Sequence, residues 1–190
     1  MDQTLPRTAA SGKPTERDEE ILRHVSRYRL TTRKMLHRVF FPDSQMNAVT
    51  KVTQKLVERG FLRKHPLPGE PKTHPLYFMA GPAAGGRYGI PRKAVERGAL
   101  GPQSLPTRLG ILLFCCGGPR RRECLTVSEV AQKRKGLDAK GVHAAQYYWE
   151  DFDGAQPLSL GQIRIDLDTD PSTLMRNCER DLAARRKHAV

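Results

Sequence analysis

Apolar positions recur at helical spacing three times in the first sixty residues, and the pattern then changes to strand-like runs. The stretch ERDEEILRHVSRYR, starting at Glu16, puts Ile21, Leu22, Val25 and Tyr28 on one helical face. Thr15 and Asp18 have capping-box spacing, and the acidic start and basic end of this stretch suit the helix dipole. Leu30-Thr31-Thr32 leads into RKMLHRVFF, where Met35, Leu36, Val39 and Phe40 repeat the spacing until Pro42 stops it. Asp43 or Ser44 is placed to cap a third helix, QMNAVTKVTQKLVERG, with Val49, Val52 and Leu56 inward and Gly60 as its end. Residues 61–65 then read as a strand and Leu76–Met79 as its partner. The joining PLPGEPKTHP is too Pro-rich for a central strand but suits an extended loop. Three short helices with a tight second turn, followed by a hairpin, predict a winged helix-turn-helix.

Later elements are less regular. A helical restart between Gly81 and Gly98 is interrupted by Pro82, Gly85, Gly86 and Pro91, and GALGPQSLP at 98–106 reads as a linker. Leu109 to Cys116 is a compact apolar run, expected in the core, and Cys124 to Ala131 is a second short element. RKGLDAKG resembles a turn; strands are expected at Ala144–Phe152 and Leu160–Leu167, and a last helix from Ser172 to about Lys187 after Pro171. No internal repeat is present. The expected organisation is α+β: a polar tail at 1–15, a winged helix-turn-helix at 16–97, the linker, and a small α/β domain at 107–190.

Charge adds a partner to this picture. The net charge is +13, and it is uneven. Residues 1–100 carry 19 Lys and Arg against 9 Asp and Glu, whereas residues 141–181 carry 3 against 8. A basic front and an acidic back point to nucleic acid for the front alone. With Val49, Val52 and Leu56 inward, the outward face of the third helix is Gln45, Asn47, Ala48, Thr50, Lys51, Gln54 and Lys55. Asn and Gln can read adenine edges, and Lys can reach guanine or phosphate, in a major groove wide enough for a helix. Arg33, Lys34 and Arg38 on the second helix suit phosphates, as do Arg63, Lys64, His65, Lys72 and His74 in the hairpin, with Lys72 and His74 at its tip. Five or six such contacts at about 0.9 each would give a steep salt dependence on duplex DNA.

The motifs Leu30-Thr31-Thr32…Met35-Leu36…Phe40, Leu56-Val57-Glu58-Arg59-Gly60-Phe61-Leu62 and Tyr77-Phe78-Met79-Ala80-Gly81-Pro82-Ala83-Ala84-Gly85 resemble the replication-relaxation family of plasmid and mobile-element proteins. The resemblance covers residues 17–90, and the chain departs from it at Met79-Ala80, where the family usually has Leu-Thr. It implies a winged-helix protein with a second α/β domain, associated with plasmid replication or transfer.

The remaining chemistry is sparse. Cys115, Cys116, Cys124 and Cys178 form no CxxC, and His143 and His188 are too scattered to complete a zinc site, so reduced, buried thiols are expected. Glu150, Asp151 and Asp153 follow one expected strand, and Asp166, Asp168 and Asp170 follow another, an arrangement that can suggest a magnesium-dependent nuclease. A nuclease core of the restriction type needs an acid two positions before a lysine. Glu150-x-Phe152, Asp166-x-Asp168 and Asp168-x-Asp170 all fail that test. Asp-Thr-Asp-Pro-Ser instead reads as a turn and helix cap. Expectations are therefore a non-enzymatic, sequence-specific double-stranded DNA-binding protein, a regulator or a replication or transfer accessory factor. No cofactor, metal, membrane or small-molecule substrate is expected. A homodimer would match two half-sites. Neither a signal-peptide core nor an eighteen-residue apolar run occurs, so a cytoplasmic, nucleoid-associated location is expected. The alternatives are a nuclease targeted by the winged helix and a protein-binding adaptor, the latter disfavoured by the Gln/Asn/Thr/Lys face.

Overall fold

Capping decides where the first two helices begin. In the computed structural model, which describes residues 13–67, 76–96, 98–119, 121–126, 129, 147–151, 157–163, 165, 166 and 170–186, α1 spans Glu16–Tyr28 behind a full capping box. Thr15 Oγ1 accepts from the Asp18 N–H at 3.2 Å while Asp18 Oδ2 accepts from the Thr15 N–H at 3.0 Å. Arg29 ends the helix in the left-handed region at φ 69°. Thr31–Thr32 form a two-residue strand, β1, and Thr32 caps α2 (Arg33–Phe40) by accepting from the Met35 N–H. The sequence pattern had given no sign of β1, because two residues are too few to show a period.

The third helix, α3, spans Met46–Glu58 and starts differently from expectation. Neither Asp43 nor Ser44 caps it; the N-cap position falls to Gln45, with no side-chain bond. The Ser44 carbonyl instead accepts from His37 Nε2 at 2.6 Å, which ties the turn to α2. Val39, expected inward, is 41% exposed. Phe41, just past the end of α2, takes the inward place and is buried.

Two residues make the exit from α3 possible. Gly60 adopts φ +72°, and Gly81 packs so closely on it that a Cβ at Gly81 would lie 2.2 Å from the Gly60 carbonyl oxygen. Strands β2 (Leu62–Pro66) and β3 (Leu76–Ala80) follow, paired antiparallel with Leu62 opposite Ala80 and Pro66 opposite Leu76. β1 pairs with the other edge of β3, Thr31 opposite Phe78, so the sheet order is β1-β3-β2. Among the described residues, the Pro- and Gly-interrupted segment after Gly81 holds a 3-10 turn (Pro82–Ala84) and a short α4 (Arg92–Glu96).

Ile90 and Val95 of this segment still join the first core, and the elements after α4 form a second group. The expected linker gives way at its end to α5, Ser104–Cys116, which contains the whole apolar run Leu109 to Cys116. Strands β4 (Arg121–Cys124), β5 (Tyr147–Asp151) and β6 (Pro157–Gln162) make a second antiparallel sheet, and α6 (Pro171–Arg186) closes the described chain. The protein is therefore mixed α+β. β6 begins and ends earlier than the pattern suggested. Among the described residues no helix is long and apolar enough to cross a membrane.

Alternation along β3 explains how the two groups meet. Phe78 joins Ile21, Leu22, Leu36, Val49, Leu56 and Leu62 in a core against the three helices. Its neighbours Tyr77 and Met79 point the other way, into a second core with Leu105, Ile111, Leu112, Cys115, Cys124 and Ile163. The first sheet is thus covered on both faces. Burial of Tyr77 includes its hydroxyl, which accepts from the Leu100 N–H at 3.1 Å.

Candidate nucleic-acid interface

The polar face of α3 is the best-formed candidate surface. Asn47, Lys51 and Gln54 are exposed and fall four and three residues apart, so they lie in one row along the helix. Gln45 is exposed just before it, next to Met46 at 43%. Thr50 is half-buried and its hydroxyl donates back to the Met46 carbonyl. Ala48 packs partly against the core rather than standing clear of it. The inward face is also richer than expected: Val49 and Leu56 are buried with Thr53, whose hydroxyl donates to the Val49 carbonyl, while Val52 is only partly buried.

Lys55 belongs to a different contact. Its ammonium lies 3.0 Å from Asp18 Oδ2, and the Arg59 guanidinium approaches the same oxygen at 3.8 Å. Burial alone would raise the Asp18 pKa, but the Thr15 N–H and Lys55 outweigh it and hold the carboxyl below its ordinary value. The reason is register: position 55 sits one residue before inward Leu56, at the edge of the side that faces α1, so its ammonium reaches Asp18 although the side chain stays 47% exposed. Lys55 therefore braces α3 against α1.

Cations on α2 and β2 divide in the same way. Arg33 and Lys34, in the first turn of α2, are exposed, and Arg33 lies 5.9 Å from the Phe78 ring centroid. Arg38 donates to the Gly118 carbonyl at 2.9 Å, just beyond the end of α5. On β2, Lys64 is exposed and faces the helix side of the sheet, opposite Phe78. Arg63 and His65 lie on the other face, which α5 and its neighbours cover. Arg63 Nε donates to the Ala80 carbonyl at 3.2 Å, and the His65 ring stacks on Tyr77 at 5.2 Å. One guanidinium nitrogen of Arg63 and Nε2 of His65 are buried with no hydrogen-bond partner among the described residues. Burial first, and the Arg63 charge second, lower the His65 pKa. Lys72 and His74 lie outside the described residues. Among the described cations of the expected site, Arg33, Lys34, Lys51 and Lys64 take part in no ion pair.

A contact that sequence reasoning missed joins the first helix to the second group of elements. Arg27 grips Glu129 through two nitrogens, at 2.9 and 3.0 Å, and donates to the Cys124 carbonyl at 2.6 Å. Glu129 also accepts from the Thr126 N–H. Burial would raise its pKa, but Arg27 and that N–H pull it down to about 2. A partner 102 residues away leaves no local signal in the sequence.

The acidic back half behaves as caps and strand ends where it is described. Asp170 accepts from the Ser172 and Thr173 N–H groups at the start of α6, and these bonds, led by the Ser172 hydroxyl, hold its pKa at about 2. Glu150 and Asp151 fall on β5 opposite Arg122 and Arg121 in register. Asp153 and Asp168 lie outside the described residues. No group of three metal-ligating side chains occurs among the described residues. No disulfide joins the four cysteines; burial pushes the Cys115 thiol up to about 12 and the Cys124 thiol up to about 11, which keeps both protonated. No family model, no curated protein and no solved structure matches this chain.

Proposed function

We propose that residues 16–80 form a winged helix-turn-helix that binds duplex DNA in a sequence-dependent way, with α3 in the major groove. The observation that carries this reading is the exposed row Asn47, Lys51 and Gln54 on a helix whose opposite face is fully engaged in the core. Side chains of this kind match base edges, and a helix lying lengthwise fits the groove. The element order α1-β1-α2-α3-β2-β3 with sheet order β1-β3-β2 supports it, since a hairpin directly after the third helix is where a wing belongs. Arg33, Lys34 and Lys64 supply phosphate contacts beside the row.

The biological setting that goes with this reading is regulation, or an accessory part in plasmid or mobile-element replication or transfer. The group around α5 buttresses the wing strands from behind, through Tyr77 and Met79. A gel-shift series on random-sequence duplexes tests the binding. Retardation at low salt that weakens steeply as salt rises is expected. Failure to shift any duplex at low salt would overturn the proposal.

A further inference from the structure

The second half of the α3 face is not a row of donors. Lys55 is exposed there too, but its ammonium is held by Asp18; the exposed groups of that end not held by α1 are Gln54 and Glu58, joined by a 2.9 Å bond from Gln54 Nε2 to Glu58 Oε1. A carboxylate only accepts, so the bond fixes which end of the Gln54 amide faces Glu58 and leaves the Gln54 carbonyl oxygen pointing away from it. Glu58 is the only acid on α3, and it continues the Asn47–Lys51–Gln54 row at the next four-residue step. From Asn47 to Glu58 the row is about 16 Å long at 1.5 Å per residue, roughly five base-pair steps at 3.4 Å.

An acid on such a face is informative because it opposes phosphate and gains nothing from non-specific binding. It gains where a base offers an amino group. Cytosine N4 and adenine N6 are the only such donors in the major groove, and guanine presents two acceptors there. Resting on the DNA-binding reading, we infer that Gln54 and Glu58 together form an acceptor pair that selects a cytosine or adenine amino group at one end of the site, while Lys51 selects guanine acceptors nearer its centre. Gln54 acts partly as a positioning residue, holding Glu58 against free rotation. The recognition row is thus polarised, with donor groups toward the start of α3 and acceptors toward its end.

Selection of bound duplexes from a random-sequence pool, run in parallel with the wild-type chain, Glu58→Gln and Lys51→Ala, separates the outcomes. Both substitutions are at exposed positions, and thermal melts establish that each variant folds. The wild type is expected to enrich sites with cytosine or adenine at one position and guanine at a neighbouring one. Glu58→Gln is expected to relax the first preference about tenfold and leave the second intact, with binding to unselected duplexes equal or tighter. Lys51→Ala is expected to do the reverse. The same consensus for the wild type and Glu58→Gln would overturn the acceptor pair while leaving DNA binding standing. No enrichment by the wild type, together with no shift at low salt, would overturn both.

Discussion

Helix α3 and strand β2 carry the same kind of sequence signal, polar and basic residues next to an apolar set, yet the structure uses them in opposite ways. On α3 the row Asn47, Lys51 and Gln54 stays at the surface. On β2 two of the three expected contacts, Arg63 and His65, lie under a second cover, with Lys64 alone left exposed. The polar face of α3 stays open because the later elements pack on α1, α2 and β3 instead, placing Tyr28, Met35, Tyr77 and Met79 in the second core. A sheet has two faces, and either can be taken by later chain. Charge on a strand is therefore poor evidence of exposure, and here α5 and Ile163 arrive from more than twenty residues downstream to claim the second face.

The largest expected effect breaks that cover directly. Tyr77→Ala removes a fully buried ring and its bond to the Leu100 N–H, and should cost about 3–5 kcal/mol of stability in urea melts. A loss under about 1 kcal/mol would mean that the second face is not packed as described.

Acid should loosen the covered side next. His24 is buried between Tyr28 and Phe40 and bonded to Thr31, and burial, with Arg27 adding to it, lowers its pKa to about 4. The unfolded chain takes up that proton near 6.5 and the folded one resists until about 4. Stability should therefore fall as pH drops through that window, by on the order of 3 kcal/mol. Glu129, held at about 2 against 4.5 unfolded, contributes stability that is present above 4.5 and lost as pH falls toward 2. Urea midpoints between pH 8 and pH 3 check both. His24→Asn should flatten the upper part of the curve and Glu129→Gln the lower, and the same curve in all three proteins would contradict these assignments.

Helix and strand can then be compared as ligand surfaces. Lys51→Ala should weaken binding to a selected duplex about tenfold, and Lys64→Ala should reduce the salt slope by about 1, each with stability within about 0.5 kcal/mol of the wild type. Arg63→Met, which exchanges a half-buried guanidinium with one buried, unpartnered nitrogen for an apolar chain, should leave the salt slope unchanged and stability equal or slightly higher. A slope lowered by Arg63→Met would return β2 to the interface.

Much of the front of the molecule was legible because its signals are local. The capping box at Thr15, the helical faces, Gly60 and the hairpin all depend on residues a few positions apart. β1 was not legible, nor was the bracing of Lys55 by Asp18, thirty-seven residues earlier. The same holds for the Arg27–Glu129 pair and the second cover, whose partners are chosen by the tertiary fold. Val39 misled because α2 is only eight residues long and Phe41 fills its place from outside the helix. Within the candidate site, the row on α3 followed from its period, whereas the acceptor character of its far end needed the Gln54–Glu58 bond to be seen.

The proposed interface depends above all on the α3 face meeting duplex DNA. Fluorescence-anisotropy titration of a selected duplex across a salt series, with the wild type and Lys51→Ala side by side, tests it most directly. Tight binding is expected at low salt, with log K falling against log salt at a slope of about −3 for the phosphate contacts of Arg33, Lys34 and Lys64, and a roughly tenfold weaker variant. Absence of binding at low salt, or equal affinity for the two proteins, would contradict it.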